Sequence, residues 1–335
     1  MLRNDKNSVV FCKPQILNFA VVMRDDFYTP DEKALLADCT LCKRECHVDR
    51  FGEKRGYCGA DAGMNIASIC IHRGEEPPVS GPSGICNIFF SGCNLRCVYC
   101  QNHEISRPGR GWRPGITDPE KAIDVIAGML GGGVEAVGFV SPSHVVPQVK
   151  AIIRGLHKRG LRPVTVYNTN GYDKAEVIDS FDGLIDVWLP DFKYVSEAVS
   201  LEYSDAGDYP AVALHALKRM YYQKGSPLIT DDEGRAEGGM IIRHLVLPGH
   251  AAESKLVLRK IAEELSPGVS ISLMSQYHPA PGVAGHPVLG RALYVSEYES
   301  VVREMEALGF RNGWIQDPES NQNYRPDFSR DHPFE

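Results

Sequence analysis

The chain has 335 residues, 43% of them hydrophobic, which is enough for a large core in one or two domains. Its formal net charge of −7 argues against nucleic-acid binding through a broad basic surface. The sequence contains no run of about 18 consecutive apolar residues, so we expect no membrane span. The first residues lack the apolar stretch of a signal peptide. We expect a cytoplasmic protein that binds neither nucleic acid nor membrane.

The ten cysteines are many for a protein of a reducing compartment. In such a compartment, clustered cysteines more often bind metal than form disulfides. Seven of them fall into two tight groups, and we interpret Cys12, Cys70 and Cys86 as ordinary buried thiols.

Residues 1–80 differ in pattern from the rest of the chain. The segment Thr29-Pro-Asp-Glu32 predicts the capped start of a short helix that continues to Leu36. A stretch rich in cysteines and turn residues follows. We predict an N-terminal metal-binding module over residues 1–80, outside the sheet formed by the remainder.

From residue 85, short apolar runs alternate with amphipathic stretches. Thr117 and Glu120 predict a capping box at the first helix. The predicted strands are Ile85–Phe90, Ala136–Val140, residues 163–167, residues 185–189, residues 240–247 and Ser270–Met274, with a short closing strand over residues 313–316. The predicted helices cover residues 123–130, 146–156, 174–181, 211–223, 258–265 and 298–308.

Six β/α units in sequence predict an α/β protein with a mostly parallel sheet and right-handed crossovers. Periodicity alone permits a doubly wound sheet or a partial barrel, and six units are too few for an eight-unit barrel. In both folds ligands bind at the carboxyl ends of the strands. We predict that residues 81–280 form this domain and residues 281–335 a C-terminal helical extension.

Three cysteines follow the first predicted strand. Cys93, Cys97 and Cys100 have the spacing C-x3-C-x2-C. Thiolates this close in sequence can hold one side of a four-iron cubane and leave one iron without a protein ligand. An open coordination position is typical of a metal site that binds substrate. The spacing also permits structural zinc, or a [4Fe–4S] cluster with a fourth cysteine from elsewhere.

The segment FFSGCNLRCVYCQNHEIS resembles the radical S-adenosylmethionine (SAM) superfamily. The likeness is to the branch of pyruvate formate-lyase activating enzyme-related proteins with a cysteine-rich N-terminus, and it spans roughly residues 39–310. Further similar segments are VYNTNGY, LPDFKY, IRHLVLPG and LMSQYHP, which begin at residues 166, 189, 242 and 273.

The resemblance implies a partial (β/α)6 radical SAM barrel with a [4Fe–4S] cluster on Cys93, Cys97 and Cys100. SAM would bind the open iron, and one electron would cleave it to methionine and a 5′-deoxyadenosyl radical that abstracts hydrogen from a substrate. The resemblance further implies that Tyr99 and Asn102 bind the cofactor. Such a radical needs a site closed to water.

At the end of the second strand the chain departs from the superfamily's Gly-Gly-Glu-type motif, which binds the methionine amino group. Ser141, Ser143 and His144 stand there instead. Their hydrogen-bonding groups are the candidates for a substitute contact with the cofactor.

Polar residues also follow the third strand. Asn168, Thr169 and Asn170 are candidates to bind the ribose hydroxyls or the methionine carboxylate. An ordinary Asn-Gly turn is the alternative.

Asp191 and Lys193, after the fourth strand, project to the same face of an extended chain. The resemblance implies that they lie near SAM and the substrate and act in catalysis. A surface ion pair of little energetic value is the alternative.

In the fifth strand, Arg243 and His244 must face opposite sides of the sheet. Arg243 is the better carboxylate-binding candidate because its guanidinium is a planar fork. After the sixth strand, Gln276 is a candidate cofactor contact and His278 a candidate catalytic group. A structural role is the alternative for His278.

The second cysteine group is Cys39, Cys42, Cys46 and Cys58, spaced C-x2-C-x3-C-x11-C. Four thiolates close a metal site, which fits structural Zn²⁺ or a fully ligated second [4Fe–4S] cluster. His47 could replace one cysteine. Zinc would indicate a brace or docking module, and a cluster would indicate electron transfer.

The leading hypothesis is a radical SAM enzyme that receives electrons from a donor such as flavodoxin or ferredoxin. Its predicted substrate is a glycyl-radical enzyme, or else an unrelated small molecule or another protein. A non-catalytic metal-binding adaptor is the rival hypothesis. The three-cysteine spacing, which leaves one iron open, argues against the adaptor.

Overall fold

The computed structural model describes residues 27–107, 115–318, 326–330 and 333–334. The strands are β1 (Ile66–His72), β2 (Ile85–Phe90), β3 (Ala136–Val140), β4 (Val164–Thr169), β5 (Val187–Pro190), β6 (Ile229–Thr230), β7 (Ala236–Leu245), β8 (Ser270–Met274) and β9 (Gly313–Ile315). The helices are α1 (Pro30–Ala37), α2 (Pro77–Ser80), α3 (His103–Ser106), α4 (Pro119–Gly131), α5 (Val146–Lys158), α6 (Ala175–Asp179), α7 (Glu197–Ser204), α8 (Tyr209–Lys224), α9 (Ala251–Glu264) and α10 (Val295–Ala307).

The strands lie in the sheet in chain order, β1-β2-β3-β4-β5-β7-β8-β9, and β6 pairs only with β7. From β2 to β9, every pairing along this path is parallel. A doubly wound sheet reverses its strand order at a switch point, and the described strands contain no reversal. The predicted α/β class is confirmed, and the strand order selects the partial (β/α)6 barrel.

The prediction that residues 1–80 lie outside the sheet is wrong for one segment. β1 pairs antiparallel with β2, so that His72 lies opposite Ile85 and Ile66 opposite Phe90. The added strand satisfies backbone groups of β2 that an open edge would expose. The cysteine-rich loop that precedes β1 is therefore joined directly to the barrel.

Alternate side chains of each barrel strand face the helices and the lumen. In β2, Cys86, Ile88 and Phe90 belong to the large core under the helices. Ile85 instead packs with Val166 and other apolar side chains inside the lumen. Towards the carboxyl ends of the strands the inward side chains become polar, and the candidate site lies at this end of the barrel.

Helix α4 begins one residue later than the capping pattern predicts. Asp118, rather than Thr117, is the N-cap, and its carboxylate accepts a hydrogen bond from the Glu120 N–H at 3.0 Å. Ile116 forms a bridge with Ile66. This bridge keeps the preceding backbone extended, so the helix starts at the Asp-Pro step.

Two further results concern the isolated cysteines and the length of the helices. Cys70 and Cys86 are buried free thiols, as predicted, and Cys12 lies outside the described residues. Across the described helices, none is both long and apolar enough to cross a membrane.

Candidate active site at the carboxyl ends of the strands

The loop that carries Cys93, Cys97 and Cys100 begins where β2 ends. All three cysteines are free and partly buried. Gly92 opens the loop with φ of 79°, and a Cβ at this position would lie 2.2 Å from the carbonyl oxygen of Cys58. Glycine is required because the backbone is left-handed and the second cysteine group packs directly against it.

Each sulfur of this loop has a hydrogen-bond partner within 3.5 Å. Leu95 N–H and Asn170 Nδ2 donate to Cys93, and the Ser204 hydroxyl donates to Cys97. The Ser106 hydroxyl lies 3.3 Å from the Cys100 sulfur, and either group can be the donor. Donors directed at sulfur stabilise metal-bound thiolates. This arrangement fits a set of three cluster ligands.

The spacing of the sulfurs also bears on the kind of metal. In the described part of the chain, no three His, Cys, Asp or Glu side chains stand close enough together to hold one metal ion. A four-iron cubane is wider than an ion, so its thiolates stand further apart. Burial and the neighbouring Cys97 raise the pKa of Cys93 to about 12, and metal binding would have to displace that proton.

A buried ionic network lies beside the cysteine loop. Arg243 donates from Nε to Asp191 Oδ1 at 3.0 Å and from Nη1 to Glu75 Oε2 at 3.2 Å. Lys193 Nζ donates to Asp191 Oδ2 at 2.6 Å. Against the effect of burial, Lys193 and Arg243 hold the pKa of Asp191 below its usual value. Asp191 and Lys193 are therefore not the surface pair of the alternative interpretation, since their side chains are only 14% and 18% exposed.

Lys193 connects this network to the cysteine loop. Burial opposes its positive charge, but Asp191 and then Cys97 raise its pKa. Its backbone N–H donates to the Tyr209 hydroxyl at 3.0 Å, which in turn donates to the carbonyl of Asn170 at 2.9 Å. The ammonium group is thus held between a carboxylate and the sulfurs.

Two glutamates from the segment between β1 and β2 enter the lumen. Glu75 accepts hydrogen bonds from Asn87 at 2.9 Å and from Asn168 at 3.3 Å. Glu76 is buried, and its Oε2 has no hydrogen-bond partner among the described residues. Burial raises the pKa of Glu76. A buried acceptor of this kind can receive a donor group from a ligand.

A cavity of about 810 Å³ fills the mouth of the barrel. Four of the predicted cofactor contacts line it, namely Asn102, Asn168, Arg243 and Gln276, together with Glu75 and Glu76. Pockets for cofactor-sized molecules are typically of this volume. The structure therefore brings polar groups from β4 and β7, and from the segments after β2 and β8, to one cavity.

Ser141, Ser143 and His144 do not line this cavity. The Ser143 hydroxyl lies 3.0 Å from that of Thr169, and His144 Nε2 lies 2.8 Å from the carbonyl oxygen of Ser91. His144 is fully buried, and burial lowers its pKa to about 4. His144 thus contacts the backbone directly before the cysteine loop.

The remaining predicted residues also lie beside the cavity rather than along it. Asn170 donates to Asn94 Oδ1 at 2.8 Å as well as to Cys93. The Tyr99 hydroxyl bonds to that of Tyr194. His278 lies partly buried in the segment after β8.

Two phenylalanines from the C-terminal end cover the lumen. The Phe334 ring centroid lies 4.1 Å from that of His72 and 5.5 Å from that of Phe89. Phe328 packs against Phe89 at 5.3 Å, and its N–H donates to Glu104 at 3.0 Å. Sequence reasoning missed this cover because the segment has no periodic pattern.

In the second cysteine group, Cys39, Cys42 and Cys58 are buried and Cys46 is partly buried. His47 turns away from them and contacts Asp38 at 2.8 Å on the surface. The structure thus gives no support to His47 as a replacement ligand.

Comparison with known proteins identifies part of the chain. Residues 87–221 match the model of the radical SAM superfamily. An uncharacterized protein of Methanocaldococcus jannaschii is 28% identical over 310 residues, covering 90% of this chain and 82% of that protein. The 7-carboxy-7-deazaguanine synthase of Methanopyrus kandleri is 28% identical over 191 residues, covering 51% of this chain and 71% of the synthase.

Among solved structures, methylornithine synthase aligns with a TM-score of 0.41 and 16% sequence identity. The alignment covers 66% of this chain and 62% of the synthase.

Proposed function

We propose that this chain, whose residues 87–221 form a radical SAM superfamily domain, is an enzyme that cleaves SAM at a [4Fe–4S] cluster bound by Cys93, Cys97 and Cys100. The superfamily implies both the cluster and SAM. When bound, the cluster would pass one electron to SAM, which would yield methionine and a 5′-deoxyadenosyl radical that takes a hydrogen atom from the substrate.

The observation that supports this function best is the meeting of two features at one end of the barrel. The cysteine loop, with a hydrogen-bond partner at every sulfur, adjoins a cavity of about 810 Å³ lined by buried charged groups. An adaptor that used the cysteines only as a brace would not require a buried network of Arg243, Asp191 and Glu75, whose desolvation is costly.

Residues of the cavity and of the ionic network would have different roles. Arg243 and Asn168 would bind carboxylate or hydroxyl groups in the lumen, and Asn102 and Gln276 would line the cofactor's path. Asp191 and Lys193 would fix the charge balance beside the sulfurs, and we propose that they contact cofactor or substrate. The buried lumen would shield the radical from water.

Radical SAM enzymes need a reductant, and we propose a small cytoplasmic donor such as flavodoxin or ferredoxin. Two substrate classes are compatible with this site. One is a backbone glycine of a glycyl-radical enzyme, as the resemblance to the activating-enzyme branch implies. The other is a small polar molecule, which the buried carboxyl of Glu76 would help to recognise.

Anaerobic reconstitution with iron and sulfide, followed by dithionite and SAM, tests the proposal. We expect 5′-deoxyadenosine and methionine to form in equal amounts, measured by chromatography. Cys97→Ala should abolish the product, and Cys70→Ala, which removes a buried thiol outside both groups, should not. An intact cluster that yields no 5′-deoxyadenosine would refute the proposed function.

A further inference from the structure

The second cysteine group has N–H donors directed at its sulfurs. Each of its four sulfurs accepts a hydrogen bond from at least one N–H group. The donors are Arg50 Nε for Cys39 at 3.1 Å, the Arg44 backbone for Cys42, the Tyr57 backbone for Cys46 at 3.3 Å, and Arg50 Nη2 at 3.5 Å with the Ala60 backbone for Cys58. Neutral thiols are weak acceptors, so this convergence of donors suits thiolates.

Arg50 is the second, independent observation. It is only 2% exposed, although its side chain is always charged. Its guanidinium contacts Cys39, Cys58 and the carbonyl oxygen of His144 at 2.7 Å, and in the described structure no carboxylate pairs with it. A buried charge without a counter-charge is strongly destabilising. The sulfurs are the available source of that counter-charge.

We propose that Cys39, Cys42, Cys46 and Cys58 hold a second [4Fe–4S] cluster with Arg50 as its buried counter-charge. Among the described residues no three such ligands stand close enough for a single ion, which suits the wider four-iron core. Four thiolates around an oxidised [4Fe–4S] core carry a net charge of about −2. The guanidinium neutralises about half of this charge where water cannot.

This centre packs against the outer side of the active-site loop. The Cys58 carbonyl oxygen faces Gly92, where a Cβ would lie 2.2 Å away. Arg50 donates to the carbonyl of His144, whose ring contacts the carbonyl of Ser91. The two cysteine loops are therefore neighbours, but they share no ligand.

Metal analysis of Cys97→Ala separates the two sites, because this variant lacks a complete set of thiolates for the catalytic cluster. After anaerobic reconstitution and desalting, we expect about four irons with four sulfides per chain. The double variant Cys46→Ser/Cys97→Ala should retain neither, and Cys70→Ala should match the wild type. Equal, near-zero metal in the single and double variants would overturn the proposal whatever the outcome of the SAM cleavage assay.

Cysteine alkylation provides a test that does not depend on the folding of a double variant. In metal-loaded Cys97→Ala, the four thiols between residues 39 and 58 should be protected, as read by mass spectrometry. Treatment with a chelator should expose all four together. Equal alkylation before and after chelation would overturn the proposal.

The role of Arg50 has its own readout. We expect Arg50→Met to release the metal to a chelator about 10- to 100-fold faster than the wild type, since contacts behind metal ligands usually have effects of this size. Arg50→Lys keeps the charge and should recover part of the loss. Circular dichroism of the metal-loaded variants checks that both are folded. Release rates equal to wild type in Arg50→Met would refute the counter-charge assignment.

Discussion

The two cysteine groups lie against each other, yet their surroundings differ. Cys93, Cys97 and Cys100 are partly buried beside a cavity. Their neighbours include the hydroxyl groups of Ser106 and Ser204. Of the four cysteines before β1, three are buried, and the buried Arg50 donates to Cys39 and Cys58. Three partly buried thiols beside a cavity and four more deeply buried thiols around an arginine are the difference expected between a reactive centre and a closed one.

Two arginines, the buried Arg50 and the partly buried Arg243, allow the sharpest test of this comparison. Arg243 is paired with carboxylates, whereas Arg50 is paired with sulfurs. Arg243→Met should lower the free energy of unfolding by about 3–5 kcal/mol in both metal-free and metal-loaded protein, because Asp191 and Glu75 stay buried. Urea denaturation measures this loss, with the exposed Arg219→Met as control. A loss confined to metal-loaded protein would contradict it.

Gly92 tests the contact between the two loops. Gly92→Ala should destabilise the fold by about 2–3 kcal/mol, because alanine resists φ of 79° and its Cβ would meet the Cys58 carbonyl. Gly128→Ala is the matched control, since no neighbouring atom lies within 4 Å of a Cβ placed there. Thermal unfolding of both variants gives the comparison. Equal stabilities would show that the loops are not in the tight contact described.

Ser204 tests the surroundings of the catalytic thiols. Ser204→Ala removes the hydroxyl that donates to Cys97 Sγ at 3.1 Å, and should slow SAM cleavage about fivefold, the value of one ordinary hydrogen bond. The cluster's midpoint potential should become more negative, because the lost donor favours the reduced, more negative cluster. Ser200→Ala, in the same helix, is the control. An unchanged potential would exclude this donor's role.

Glu76 tests the cavity side and carries the smallest expected effect. Burial raises its pKa above the unfolded value, so folding takes up a proton and stability should fall as pH rises through the window between the two values. Arg243, Glu75 and His72 face its carboxyl group. Glu76→Gln should remove this pH dependence, measured by urea midpoints at several pH values. The same slope in both proteins would contradict it.

The barrel strands were predictable from sequence because their signal is local. Ile85–Phe90, Ala136–Val140 and Ser270–Met274 are short apolar runs, and the structure has them with the same bounds. β1 was missed because IASICIH lies next to the cysteine-rich loop, and its pairing with β2 is decided by the free edge of the sheet. Helix α7 was missed because its EAVSLEYS sequence has a weak apolar stripe.

The candidate site was predictable only in part. Arg243 and Asn168 line the cavity. Their inward direction was predictable because side chains alternate between the two faces of a strand. Ser143 and His144 follow a strand end too, but they contact Thr169 and the Ser91 carbonyl oxygen and do not line the cavity. Glu75 and Arg50 come from irregular segments, so only the folded chain brings them to their partners.

The strand order has a consequence for how the protein acquires the proposed cluster. Because sheet neighbours follow chain order, a growing polypeptide can add one β/α unit after another as it leaves the ribosome. The cysteine loop after β2 emerges early, whereas Asn170 and Ser204, which donate hydrogen bonds to its sulfurs, are translated later. An iron–sulfur cofactor delivered during synthesis would meet an unprotected loop. We therefore expect stable insertion of the cluster to be a post-translational event.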